Sequence, residues 1–103
     1  MKKVIKGKMY NTETADFLAG KDNRKYGDYY YFNEELYKTT KGRYFLYGEG
    51  GGATKYGNCS WCSTKKVFWN IFAFTETEAF EWLAEKDFPN VIEKEFPHLF
   101  EEA

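Results

Sequence analysis

"YYYFNEELYKTTKGRYFLYG", residues 29–48, holds two aromatic-rich runs separated by Thr40, Lys41 and Gly42. Aromatic residues favour strands, and a short loop whose glycine takes a positive φ closes hairpins. We therefore predict strands near residues 29–39 and 43–48, with a break at Asn33 left open. This antiparallel hairpin decides the fold, because the segments around it have to pack against it.

The segment before this hairpin begins with "KKVIKGKMY", residues 2–10, which alternates around Lys6-Gly7. Glycine tolerates the positive φ of a tight turn, so we predict a second hairpin of two short strands. The charged stretch "KDNRKYGD", residues 21–28, is predicted to be an exposed loop.

Between these segments, "NTETADFLAGK" predicts a helix of about two turns. Asn11 or Thr12 is placed to accept from the free N–H groups of the first turn, and Gly20 is placed to stop the helix. The inward residues of this helix would be Ala15, Leu18 and Ala19.

After the hairpin, "KKVFWNIFAF", residues 65–74, is apolar on both faces of a pleated strand apart from Asn70. This pattern predicts a central strand that is covered on both sides. Thr75 and Glu78 then have capping-box spacing at the start of an amphipathic helix, which Phe88-Pro89 ends. "NVIEKEF", residues 90–96, predicts a further turn or two before Pro97.

This order of elements indicates the α+β class, in which a small antiparallel sheet built from hairpins has two to three helices packed against it. The 103 residues are enough for a single domain, residues 1–103, and aromatic residues make up 21% of them. The net charge of -1 hides an asymmetry, because residues 1–75 carry +6 and residues 76–103 carry -7. One segment is thus suited to anionic partners and the other to cationic partners.

The glycine-rich run Gly48–Ala53 fits the loose G-x-G-x-x-G/A string of dinucleotide-binding loops. The residues that follow are a poor helix start, and Lys55 comes after Thr54 rather than before it, which excludes a P-loop. We therefore predict a mobile surface loop, which could serve partner binding.

Cys59 and Cys62 have the C-x-x-C spacing that lets two thiolates bind one zinc ion. Tetrahedral zinc needs about four ligands, and only His98 and carboxylates remain to complete the set. A structural zinc at Cys59, Cys62 and His98 is one reading, a redox motif is another, and small strand fillers are the third. Without zinc, no cofactor is expected.

The chain offers few catalytic groups, since His98 is its one histidine and lies beside Pro97. Carboxylate pairs such as Glu34-Glu35 most often form a solvated face. We therefore predict that the protein is not an enzyme and that no residue is catalytic.

Two charged surfaces are open to partners. Basic residues among aromatics in "KGRYFLY" and "STKKVFW" could bind nucleic acid by stacking and phosphate contacts. The acidic helix could instead mimic a row of phosphates and occupy a basic groove of another protein. The predicted partner-binding residues are Glu76, Glu78, Glu81, Glu85 and Asp87, with Tyr56 and Trp61 as aromatic anchors.

Three segments resemble a group of small proteins of Firmicutes that phages and conjugative elements often carry. They are "KKVIKGKMYNTETA", "EELYKTTKGRYFLYGEGG" and "FTETEAFEWLAEK". The shared elements are a K-x-Y-x-T-E-T-A opening, an L-Y-x-x-x-x-G-x-Y-F-L-Y-G-E-G-G centre and an acidic C-terminal helix. The chain departs from this pattern at "NCSWCSTKKVFWNIFAF" and at "FPNVIEKEFPHLF".

Small proteins of that genomic setting include inhibitors of CRISPR nucleases, so the resemblance suggests an anti-CRISPR protein. It implies a non-enzymatic inhibitor in the cytoplasm of a bacterial host, which binds a CRISPR-associated nuclease and blocks nucleic-acid binding or cleavage. The alternative is a zinc-stabilised or nucleic-acid-binding accessory protein of a mobile element. No apolar run suits a membrane, and a monomer and a homodimer both remain open.

Overall fold

The structure is a computed structural model, and it describes residues 1–25, 29–57 and 67–103. The predicted α+β class is confirmed, because strands form a four-stranded antiparallel sheet and a two-stranded sheet, and two helices follow them among the described residues. The strands are β1 Lys2–Ile5, β2 Lys8–Asn11, β3 Asp16–Asp22, β4 Phe32–Lys38, β5 Tyr44–Gly50 and β6 Phe68–Phe74. The helices are α1 Glu76–Glu85 and α2 Pro89–Glu95.

Both predicted hairpins are present. Lys6 and Gly7 turn β1 into β2 with φ angles of 50° and 79°, the left-handed pair that a two-residue hairpin turn requires. Gly42 has a φ of 82° in the loop between β4 and β5. The glycine-containing turns that the sequence predicts therefore account for the pairing of β1 with β2 and of β4 with β5.

The helix predicted between the hairpins is wrong, because the chain from Asp16 to Asp22 forms β3 instead. Asn11 does behave as a cap, and its Oδ1 accepts the N–H of Glu13 at 2.9 Å. That hydrogen bond closes a turn just as readily as it starts a helix. The downstream residues then pair along β4, with a register shift between Phe17 and Ala19.

The four-stranded sheet has the order β3-β4-β5-β6, so neighbours in the sheet are also neighbours along the chain. The prediction of a central strand within residues 65–74 is wrong for its described part, because β6 lies at the edge. Trp69 and Phe72 are 42% and 38% exposed there. The covered central strand is β5, in which Glu49 alone is not buried.

Each face of this sheet carries its own apolar cluster. On one face, Leu36 and Leu46 pack with Trp82 and Leu83 of α1 and with Phe96 after α2. On the other face, the hairpin β1–β2 places Tyr10 against residues of β4, β5 and β6. The fold is therefore layered as hairpin, sheet and helices.

The two C-terminal helices are confirmed where the sequence predicts them. Thr75 caps α1 in a capping box with Glu78, and Pro89 begins α2. Phe96, which is fully buried, contacts the rings of Tyr44 and Phe80 at 5.1 and 6.2 Å between centroids. These contacts fasten both helices to the sheet.

Candidate functional site

The five carboxylates predicted to form an acidic patch are all exposed. They are Glu76, Glu78, Glu81, Glu85 and Asp87. Their backbone is held in place because the opposite side of α1 buries Ala79, Trp82 and Leu83. The charges therefore sit on a helix whose orientation is fixed by the core.

The helical repeat divides these carboxylates into two groups. Successive residues of an α-helix turn by about 100°, so Glu78, Glu81 and Glu85 fall within about 60° of one another on the exposed side. Glu76 falls on the opposite flank of α1. We call Glu78, Glu81 and Glu85 the acidic stripe.

Three of the predicted carboxylates have partners within the chain, and one of them is Glu85, whose Oε1 lies 3.8 Å from Lys86 Nζ. Glu78 accepts the backbone N–H of Thr75 at 2.8 Å, which completes the capping box. Glu76 contacts Nε2 of His98. Since His98 is close to Glu76, its predicted role as a zinc ligand competes with this contact.

A buried carboxylate lies under the same helix. Glu34 of β4 is 2% exposed, and its Oε2 accepts from Lys55 Nζ at 2.7 Å and from the Tyr56 hydroxyl. Its Oε1 accepts from Trp82 Nε1 at 3.1 Å and lies 3.8 Å from Lys86 Nζ. We call these five residues the Glu34 cluster.

Burial alone raises the pKa of Glu34, because removal from water penalises a carboxylate. The hydrogen bonds from Lys55, Tyr56 and Trp82 outweigh that effect, and the net pKa lies below the ordinary value of 4.5. Burial and the bond to Glu34 raise the pKa of Tyr56. Glu34 is therefore the ionised acceptor, and Tyr56 is the neutral donor.

All members of the Glu34 cluster except Trp82 line a cavity of about 310 Å³ together with Phe32 and Thr54. Its carboxylate faces the ammonium groups of two lysines, so its charge is balanced within the chain. These contacts hold Lys55 and Tyr56, which follow β5, and Trp82 of α1 against β4. The cluster therefore positions both segments on the sheet.

Sequence reasoning missed this cluster, since it placed Glu34 in a solvated pair with Glu35. The signal was the strand period. Phe32, Glu34 and Leu36 alternate along β4, so they share one face, and Leu36 is fully buried there.

Tyr56, the predicted aromatic anchor, turns inward in the structure. Its ring occupies the space where a Cβ on Gly48 would lie, with Tyr56 Cζ 2.1 Å from that position. It also contacts the ring of Phe72, with centroids 6.1 Å apart. Its role in partner binding stays a prediction, and our proposal below does not use it.

The other predicted anchor, Trp61, and the candidate zinc ligands Cys59 and Cys62 lie outside the described residues. Within residues 1–25, 29–57 and 67–103, no three side chains of metal-binding type come together. The zinc hypothesis stays a prediction that metal analysis would decide.

The glycine-rich run begins in β5 and continues into a turn. Gly51 N donates to the carbonyl of Tyr31 at 2.8 Å, and Ala53 N donates to the carbonyl of Tyr29 at 3.0 Å. Residues 48–57, which hold the run and the four residues after it, contain strand and turns and no helix, so this backbone lacks the helix N-terminus that binds a pyrophosphate.

In the part of the chain that the structure describes, no helix is long and apolar enough to cross a membrane. Comparisons with protein-family models, with curated proteins and with solved structures find no match for this chain.

Proposed function

We propose that this protein is a non-enzymatic inhibitor that acts by binding another protein through the acidic stripe. The observation that carries the proposal is a row of exposed carboxylates on a helix anchored from behind by Ala79, Trp82 and Leu83. A fixed row of negative charge complements a groove evolved for polyanions, and complementary fields accelerate capture.

The carboxylates of the acidic stripe have few partners among the described residues, which supports the proposal that they bind another protein. Glu81 has no hydrogen bond or ion pair among the described residues, and Glu85 Oε1 is no closer than 3.8 Å to its basic neighbour Lys86. One carboxylate oxygen of Glu78 accepts the hydrogen bond of the capping box. Glu81 and Glu85 are therefore the carboxylates best placed to meet basic residues of a partner.

The target that we propose is a CRISPR-associated nuclease. The choice rests on the resemblance to small mobile-element proteins of Firmicutes and on the row of exposed carboxylates along α1. Such a nuclease holds nucleic acid in a positively charged channel, which is the kind of surface that the acidic stripe fits.

Guide-directed DNA cleavage by a panel of CRISPR nucleases tests the proposal, with the protein added before or after the DNA. Inhibition only when the protein is added first is expected, because the stripe would occupy a surface that DNA needs. The double variant Glu81→Lys, Glu85→Lys should weaken inhibition at least tenfold.

The matched control is Glu101→Lys, Glu102→Lys, which makes the same change in net charge at exposed tail positions. Equal inhibition by both double variants would refute a role for the stripe. An absence of inhibition across the whole panel would refute the proposed target.

A further inference from the structure

We propose that the face of the sheet opposite α1 carries a binding groove for the phosphate backbone of a single-stranded nucleic acid. The groove lies between the hairpin β1–β2 and the edge strand β6, and its volume is about 610 Å³. Hairpin residues from Lys3 to Tyr10 form one wall, residues 70–73 of β6 form the other, and Arg43 lies beside them. We call this the hairpin groove.

The charge of the hairpin groove is its first distinguishing feature. Lys3, Lys6, Lys8 and Arg43 line it, and no acidic side chain is part of its lining among the described residues. Gathering like charges costs stability unless an anion is bound.

The partners of these cations are few. Lys3 Nζ donates to Asn70 Oδ1 at 2.6 Å, which joins the two walls. Within the described ranges, no ion pair involves Lys6, Lys8 or Arg43. The positive charges of Lys6, Lys8 and Arg43 are therefore available to an anionic ligand.

The basic surface continues beyond this groove. A second groove of about 370 Å³ shares Lys8, Tyr10 and Arg43 with the first, and it adds Lys41 and several hydroxyl groups. A single small anion would fill only one of these spaces. A chain with a repeated negative charge can follow both of them.

The chemistry of the lining suits the phosphate backbone of a nucleic acid. The guanidinium of Arg43 offers a planar donor fork that suits phosphate, and lysines act as point charges along the backbone. The wall contributed by β1 spans only four residues, about 13 Å, which suits a single strand better than a duplex.

Fluorescence anisotropy with a labelled oligodeoxythymidine, titrated at several salt concentrations, tests this groove. If about five phosphates are contacted, affinity should fall about a hundredfold between 50 and 200 mM salt. Lys8→Glu, Arg43→Glu should weaken binding at least tenfold, because these residues line both grooves.

The matched control is Lys21→Glu, Lys94→Glu, which changes net charge equally at exposed positions outside both grooves. Circular dichroism and thermal unfolding would show that both double variants fold. Equal weakening in both variants, or no binding by the wild-type chain at low salt, would overturn the proposal. A labelled duplex that binds as tightly as the single strand would overturn the choice of ligand.

A second copy of this chain is the competing occupant, since its acidic stripe could fill the groove. Light scattering at low salt decides this point. Self-association that is lost in both Lys8→Glu, Arg43→Glu and Glu81→Lys, Glu85→Lys, without oligonucleotide binding, would replace our assignment. The proposed inhibition uses α1 and not the hairpin, so either proposal can fail alone.

Discussion

At the scale of single residues, Glu34 is the centre of a cluster that the sequence did not predict. Its ionised carboxylate accepts hydrogen bonds from Lys55, Tyr56 and Trp82 while being 2% exposed. A buried charge is tolerated only with such partners. The free energy of unfolding should therefore depend on this one carboxylate.

Glu34→Gln should lower the free energy of unfolding by roughly 1–3 kcal/mol at neutral pH. The loss is moderated because Lys55, whose side chain is 65% exposed, can turn to water. Urea unfolding measures the effect, and Glu93→Gln at an exposed position of α2 serves as the control. An equal effect of both substitutions would show that the cluster does not stabilise the fold.

The same pair of proteins tests the pKa of Glu34. Its folded-state pKa lies below the ordinary value of 4.5, so its stabilisation is complete above that pH and is lost as the pH falls through the lowered value. The difference in stability between wild type and Glu34→Gln should therefore shrink below about pH 4.5. A constant difference down to pH 3 would contradict an ionised Glu34.

At the scale of elements, β5 and the loop after it are coupled through a glycine. A Cβ at Gly48 would lie 2.1 Å from Tyr56 Cζ, and that ring is held by Glu34. Glycine is needed here because a ring occupies the place of its side chain. The absence of a side chain at Gly48 therefore lets the Tyr56 ring pack against β5.

Gly48→Ala should destabilise the protein by about 1–3 kcal/mol, because the Tyr56 ring has to leave its place. In a Tyr56→Ala background the same change should cost much less, since the obstructing ring is gone. Urea unfolding of the four proteins gives the coupling between the two positions. Additive effects would show that the ring does not fill this space in solution.

The elements also show what the sequence could and could not predict. Turn and cap chemistry is local, so Lys6-Gly7, Gly42 and the capping box at Thr75 were read correctly. Asn11 was misread because helix caps and turns use the same hydrogen bond, and pairing along β4 decided between them. The edge position of β6 could not be read, because strand order is a property of the whole sheet.

The same distinction between local and long-range contacts applies to the candidate site. The exposure of the acidic helix followed from its 3.6-residue period, whereas the Glu34 cluster needs residues that are 48 positions apart, Glu34 and Trp82. The hairpin groove likewise joins Lys3 to Asn70, which are 67 positions apart. Sequence patterns report neighbours along a chain and not such pairs.

At the scale of the whole molecule, the charge asymmetry of the chain becomes an asymmetry between layers. The hairpin layer carries Lys2, Lys3, Lys6 and Lys8 without an acidic residue in residues 1–11. The helical layer on the other face carries the acidic stripe. Tyr10 of the hairpin layer and Glu76 of the helical layer line one small groove together with Arg43.

Two faces of opposite charge should act independently. Glu81→Lys, Glu85→Lys should lose nuclease inhibition and keep oligonucleotide binding, and Lys8→Glu, Arg43→Glu should do the reverse. Measuring both activities for both variants checks this expectation. Parallel loss of both activities in either variant would mean that the two faces form one binding surface.

The order β3-β4-β5-β6 also has a consequence for how fast the chain finds its fold. Strands that are adjacent along the chain close small loops, which limits the entropy cost of the search. The pairing of β5 with β6 is the exception, because residues 51–67 separate these strands. We therefore expect closure of that connection to limit the folding rate of the sheet. Stopped-flow kinetics should show that substitutions within it change the rate of folding more than the rate of unfolding.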